Sequence, residues 1–236
     1  KIGWSDLFDD RGSWQTLDKL KSQESEGPVP ISATESGAVV RYARGGYRDV
    51  NEGLRSGDLS ESVKKEVALI DEAIRKGSAR VEQELLRGEP TRENILRGEG
   101  SRLAGVGAEE ADRIIDSSHE AHYRGKFPVG SVYSDKGFVS TSLNYEPAHD
   151  ASAARSFEYG GRQIPGVVFK ITNASGLRID KKTLGESLLF DDEAEVLLAR
   201  GSRFRVLGVE HEDFESYTGS IFRRLVVSLR YLGKSA

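Results

Sequence analysis

The hydrophobic period of this chain changes near Pro90, and that change constrains the fold more than any single motif does. Before it, apolar residues recur at helical spacing. Val39, Tyr42, Tyr47, Val50 and Leu54 form such a series, interrupted at Gly45-Gly46. Ser60 then opens a capped helix with Val67, Leu69, Ile70 and Ile74 on its apolar side. A second short helix is predicted from Arg80 to Leu86, ahead of Gly88-Glu89-Pro90. Beyond Pro90 the period is two, and strands are predicted at Asn94–Gly98, Gly137–Leu143, Pro165–Ile171, Leu177–Asp180, Glu195–Leu198, Arg203–Glu210 and Arg224–Leu232. One amphipathic helix, Ala108 to about Tyr123, interrupts them. Helices first and antiparallel-looking strands afterwards predict an α+β domain over residues 34–236. Residues 1–33 read separately, as a helical arm carrying Trp4, Leu7, Phe8, Trp14 and Leu17 and a polar linker.

Composition excludes several classes of function. Lys+Arg 34 against Asp+Glu 38 leaves a net charge of −4, which disfavours non-specific nucleic-acid binding. Without cysteine there is no disulfide, thiolate metal site or cysteine nucleophile. His119 and His122 share a helical face, but no third ligand is spaced to join them, so no metal is expected. No apolar run approaches the 18 or so residues of a membrane span. The absence of methionine, the initiator included, points to a processed or partial chain.

Four pieces of the sequence carry chemistry. In Asp191-Asp192-Glu193-Ala194-Glu195 the carboxylates run into the apolar strand Val196-Leu197-Leu198. An extended backbone would put Glu193 and Glu195 on one face, roughly 7 Å apart. Such a pair is either a solvated acidic strand end or one wall of a cleft for a cationic substrate. Arg97-Gly98 ends an apolar stretch, where a guanidinium can reach a phosphate and glycine admits a ligand to the backbone. Ser140-Thr141-Ser142 places two hydroxyls on one strand face, able to orient a carboxylate. Phe190, three residues ahead of Glu193, is available for stacking. Taken singly, each has a bland reading as a surface charge, a strand hydroxyl or a loop aromatic.

In this order the pieces resemble the mono-ADP-ribosyltransferase toxins of the arginine–serine–glutamate clade. That family carries an aromatic-Arg-Gly strand, a Ser-Thr-Ser strand and a Glu-x-Glu pair behind a loop. Here these are Leu96-Arg97-Gly98, Ser140-Thr141-Ser142 and Glu193-Ala194-Glu195. Tyr42, Tyr47, Asn51 and Arg55 resemble the family's opening helix. Tyr159-Gly160-Gly161-Arg162-Gln163-Ile164 resembles the loop whose aromatic and arginine grip the dinucleotide. The resemblance covers about residues 34–232 and departs from the pattern at Leu96, where an aromatic is usual, and in the Ala108–Tyr123 helix before Ser140. Tyr123-Arg124-Gly125 is a rival arginine strand, but Arg97 is preferred for the strand pattern of Ile95-Leu96.

The resemblance implies a split, mainly antiparallel sheet behind the helical layer, and NAD as co-substrate. Glu195 would hold the ribose hydroxyl and face the developing oxocarbenium ion, oriented by Ser140. Glu193 would position the acceptor group, with Phe190 beside it. Arg97, Arg55 and Arg162 would clamp the pyrophosphate next to Gly98, and Tyr42, Tyr47, Asn51 and Tyr159 would line the ribose and ring. Glu193 at the first position of the pair goes with arginine acceptors in that family, although members acting on hydroxyl side chains exist. The expected protein is therefore a secreted bacterial toxin or effector that modifies a protein in the cytoplasm of a host cell. The departing segments, 1–33 and the Ala108–Tyr123 helix, are the candidates for target recognition. An NAD glycohydrolase, or an inactive binding module of the same fold, are the alternatives.

Overall fold

Capping sets where the first helix begins. Ser32 Oγ accepts from the Glu35 amide at 3.3 Å while the Glu35 carboxylate takes the Ser32 amide at 2.8 Å, a reciprocal capping box ahead of α1 (Ala33–Arg41). The computed structural model describes residues 30–89, 105–144, 157–159, 162–164, 166–184, 194–215 and 221–234. Residues 1–29 of the arm and linker expected over 1–33, and the predicted strand at Asn94–Gly98, lie outside the described residues. A wide π-type turn, Tyr42–Gly46, follows α1 and leads into α2 (Tyr47–Ser56). Gly45 has φ 130°, a conformation open to glycine and costly for other residues, so the expected break falls there. Ser60 Oγ caps α3 (Glu61–Gly77) by accepting from the Val63 amide.

After α3 the chain departs from the sequence expectation. Instead of a helix from Arg80 to Leu86, it forms two short strands, β1 (Ser78–Arg80) and β2 (Leu85–Glu89). α4 (Ala108–Lys126) follows, with β3 (Val132–Asp135) and β4 (Val139–Ser142). β5 (Phe157–Tyr159) and β6 (Arg162–Ile164) make a separate two-stranded hairpin. β7 (Val167–Thr172), β8 (Ser175–Ile179), the short α5 (Lys181–Leu184), β9 (Glu195–Leu198), β10 (Ser202–Glu215) and β11 (Ile221–Lys234) complete the fold.

The main sheet has the order β1-β8-β9-β4-β2-β7-β11-β10-β3. Its pairs are antiparallel except β7 with β11. The two halves touch at one register pair, Leu86 with Ser142, whereas β2 follows β7 from Leu85 to Glu89. The sheet is thus split between β4 and β2, as expected for this α+β class.

The buried residues form two clusters, and β9 serves both. Val196 and Leu198 face Val139, Phe169, Val206, Val227 and the α4 residue Tyr123. Leu197, pointing the other way, meets Val39, Tyr42, Ile70, Phe138 and Leu177. A strand buried on both faces needs a continuous apolar run rather than alternation, which explains Val196-Leu197-Leu198. Burying each such side chain contributes about 1.5–3 kcal/mol. α4 contributes Ile114, Ile115 and Tyr123 to the buried interior, so it is a core element as well as a candidate recognition surface.

Candidate functional site

Tyr42 organises the cleft where helices and split sheet meet. Its ring is fully buried and packs edge-on against Phe138, with centroids 5.6 Å apart. Its hydroxyl accepts from Asn51 Nδ2 at 2.9 Å and donates to the Phe138 carbonyl at 3.4 Å. The charges of Arg87 and Glu195 both act on the same hydroxyl. Burial, with the Glu195 charge adding to it, pushes the phenol pKa up, so Tyr42 stays a neutral donor and acceptor at physiological pH.

Ser140 and Glu195 owe their placement to the β4–β9 register. Ser142 pairs with Glu195 and Ser140 with Leu197, so Ser140, Ser142 and Glu195 share the face on which Leu197 meets the helical layer. Thr141 points the other way, and its hydroxyl donates to the Val196 carbonyl at 2.6 Å, locking the two strands together.

Opposite them stands Arg87. Continuation of the β2–β4 ladder beyond Leu86 and Ser142 would pair Gly88 with Ser140. The ladder stops instead, and the Arg87 guanidinium donates to the Ser140 carbonyl at 3.1 Å through Nη1. Its Nε lies 3.5 Å from Glu89 Oε1. Arg87 therefore spans the split, at the end of an apolar strand and followed by glycine.

Arg97 and Gly98, the expected pyrophosphate anchor and its glycine, lie outside the described residues, and Arg87 falls just past the helix expected over Arg80–Leu86. The signal was present: Leu-Arg-Gly-Glu occurs twice, at 86–89 and at 96–99. The rival strand at Tyr123-Arg124-Gly125 lies in the last turn of α4, where Arg124 pairs with Glu120 at 2.7 Å and Tyr123 is core.

Other expected site residues fall as follows. Tyr47 is 41% exposed at the mouth of the cleft, edge-on to Tyr42 at 6.4 Å and bonded by Arg48 Nε at 3.2 Å. Asn51 is buried and committed to the protein: besides Tyr42, it holds the Phe138 amide at 2.9 Å and carbonyl at 3.2 Å. An Asn51 contact to ribose would have to displace these bonds. Arg55, one turn further on, is half-exposed and paired with Asp135. Tyr159 and Arg162 are cross-strand partners at the tip of the β5–β6 hairpin.

Ala194, just ahead of Glu195, has φ 44°, in the left-handed region rather than extended. For alanine that conformation costs about 1–2 kcal/mol. The Ala194 carbonyl accepts from the Leu143 amide at 3.2 Å, which ties the turn to the end of β4. Glu193 and Phe190 lie outside the described residues.

The family model described as ADP-ribosyltransferase exoenzyme matches residues 14–230. The chain belongs to that family. This exoenzyme is accordingly an NAD-dependent ADP-ribosyltransferase of the mono-ADP-ribosyltransferase toxin class. No curated protein matches its sequence. Solved structures share its fold at low identity. The C3 exoenzyme of Clostridium limosum is 16% identical with a TM-score of 0.53, covering 97% of this chain and 99% of that one. The Vis toxin of Vibrio splendidus is 20% identical with a TM-score of 0.56, covering 94% and 88%. Exoenzyme S of Pseudomonas aeruginosa, solved with human 14-3-3 protein beta and bound to carba-NAD, is 18% identical with a TM-score of 0.52, covering 91% and 80%. Among the described residues of the exoenzyme, no cluster of histidines and carboxylates is placed to hold a metal ion, and no helix is long and apolar enough to cross a membrane.

Proposed function

We propose that this exoenzyme cleaves the nicotinamide–ribose bond of NAD and transfers ADP-ribose to a protein side chain of a host cell, arginine being the favoured acceptor. In this reading it is secreted by a bacterium as a toxin or effector and acts in the host cytoplasm. One observation carries the catalytic part: the β4–β9 register sets Ser140 and Glu195 on one face and the Arg87 guanidinium bonds the Ser140 carbonyl, although the three come from separate strands.

The chemistry assigns a role to each. Departure of nicotinamide leaves positive charge on the ribose, and Glu195 supplies a fixed negative charge where it develops. Ser140, on the same face by the strand register, orients that carboxylate. Arg87, rather than Arg97, anchors the pyrophosphate, with Gly88 admitting it close to the backbone and Arg55 as second cation. Tyr47, exposed at the mouth, stacks on a ring, and Tyr159 and Arg162 close over the dinucleotide from the hairpin. Glu193, three residues after Phe190 in sequence, positions the acceptor nitrogen; a hydroxyl acceptor uses the same contact. An NAD analogue bound to exoenzyme S, which shares the fold, supports NAD as the co-substrate.

The test is nicotinamide release from NAD, alongside transfer of label from NAD to protein in a eukaryotic lysate. Glu195→Gln should lose both by about a hundredfold or more. Glu193→Ala should lose transfer while hydrolysis persists. Strong hydrolysis by the unaltered protein without any labelled protein would make it a glycohydrolase instead.

A further inference from the structure

Two side chains one helical turn apart on α2, Asn51 and Arg55, grip the segment that leads into β4. The Arg55 grip is made by Asp135 at the end of β3. Arg55 Nε donates to Oδ1 at 3.2 Å and Nη2 to Oδ2 at 3.0 Å, a forked two-bond contact. The Gly137 amide donates to Oδ1 at 2.9 Å and the Tyr133 hydroxyl to Oδ2 at 3.4 Å. Four donors fill the acceptor sites of one carboxylate, so Asp135 has nothing left to offer a substrate.

Exposure is divided unequally along this pair. The Asp135 side chain is 6% exposed, that of Arg55 46%. The guanidinium is thus fixed at its inner edge by two nitrogens while its outer part stays open. Glycine at 137 is required for the arrangement, since a Cβ there would lie 2.7 Å from Asn51 Oδ1 and 3.3 Å from Arg55 Nη2. The charges continue beyond the pair: Arg55 also feels Glu89, and Glu89 lies beside Arg87. Asp135, Arg55, Glu89 and Arg87 therefore alternate in sign from the helical layer to the strand at the split.

We propose that Asp135 is a positioning residue that aims the Arg55 guanidinium at the pyrophosphate of NAD and so sets affinity for the dinucleotide without touching it. This rests on the NAD reading above. A flexible arginine would have to be ordered each time ligand bound, whereas one already forked onto a buried carboxylate is ordered beforehand.

The experiment measures NAD affinity by calorimetry and steady-state nicotinamide release for Asp135→Asn, Arg55→Ala and the double variant. Asp135→Asn keeps an acceptor for the Gly137 amide but turns an amide donor toward Arg55. Its KM for NAD should rise about tenfold while kcat stays within about twofold. The double variant should bind NAD no worse than Arg55→Ala alone, because the effect of Asp135 runs through Arg55. Tyr133→Phe removes a donor to the same carboxylate without releasing Arg55, and KM should not move. If Asp135→Asn does not fold, Asp135→Glu keeps the charge but shifts the fork by a methylene and should show the same rise in KM with kcat retained. Additive losses in the double variant, or a lowered kcat at unchanged KM, would overturn the proposal. Wild-type protein that neither binds nor cleaves NAD would sink the NAD reading itself; normal wild-type cleavage with unaltered KM in Asp135→Asn would sink this proposal alone.

Discussion

Arg87 donates from Nη1 to the Ser140 main-chain carbonyl across 3.1 Å, at the point where the β2 and β4 ladders part. The bond joins the two halves of the sheet through a side chain instead of a backbone pair. It also holds a cation within reach of whatever anion enters the split. Arg87→Ala should therefore reduce nicotinamide release by about a hundredfold or more, and Arg87→Lys by nearly as much, since an ammonium lacks the planar fork. Arg97→Ala should cost far less. Steady-state kinetics on the three variants separate the two arginines, and the reverse ranking would return the anchoring role to Arg97.

Asn51 has a structural duty that its family resemblance does not suggest. Replacing it by alanine strands the Phe138 amide and removes one donor each from the Phe138 carbonyl and the Tyr42 hydroxyl. The expected loss is about 3 kcal/mol of stability. Urea unfolding of Asn51→Ala measures it. An unchanged midpoint with only a weaker KM for NAD would mean that the side chain acts on ligand after all.

His119 predicts sensitivity to acid. It is 3% exposed between α4 and the sheet, and burial, reinforced by His211 and His122, pushes its pKa down to about 4. In the unfolded chain it would titrate near 6.5. The unfolded state therefore binds the extra proton first, and stability falls as pH drops from about 6.5 to about 4. The full effect is roughly 3 kcal/mol, present below pH 4 and absent above pH 7. His119→Phe, which keeps a ring against Tyr123, should flatten this part of the stability–pH profile relative to wild type. Parallel profiles would show that other groups carry the acid response.

Gly176 on β8 allows β9 to lie close. A Cβ there would sit 2.7 Å from Val196 Cγ1, 2.8 Å from Leu198 Cδ2 and 2.9 Å from the Leu197 carbonyl. Because one obstacle is main chain, Gly176→Ala must displace β9, at a cost of about 1–3 kcal/mol. Glu195 begins that strand, so activity should fall by more than the folded fraction does. Thermal melting and nicotinamide release, measured on one preparation, check the two together.

Much of this architecture could be read from residue pattern. The helical series through Val39 and Val50, its interruption at Gly45 and the Ser60 cap all rest on local preferences, and they appear where expected. So do the strands around Ser140, Val168 and Leu197. The stretch 78–89 could not be read in the same way. Val81, Leu85 and Leu86 fit a helix turn as well as two short strands, because periodicity is ambiguous over so few residues. What settles it is the pairing of β2 with β7, a partner some eighty residues away. Reading that stretch as helix left Arg87 out of the candidates for the anchoring arginine, and Arg97, in the second copy of the tetrapeptide, lies outside the described residues.

The acidic pair shows the same limit at smaller scale. Glu195 was identifiable because Val196-Leu197-Leu198 must be a strand buried on both sides. The left-handed backbone of Ala194 just ahead of it, bonded to the Leu143 amide, was not, because no residue preference favours that conformation for alanine.

By itself, the amino-acid sequence determined the succession of helices and strands, the serine and glutamate of the cleft, and through them the family, because each depends on contacts within one short segment. Only the tertiary structure decided which arginine crosses the split, that Asn51 holds the protein together, and that Asp135 restrains Arg55. Those outcomes belong to pairings between distant segments, where burial and hydrogen-bond satisfaction choose among residues that look alike in one dimension.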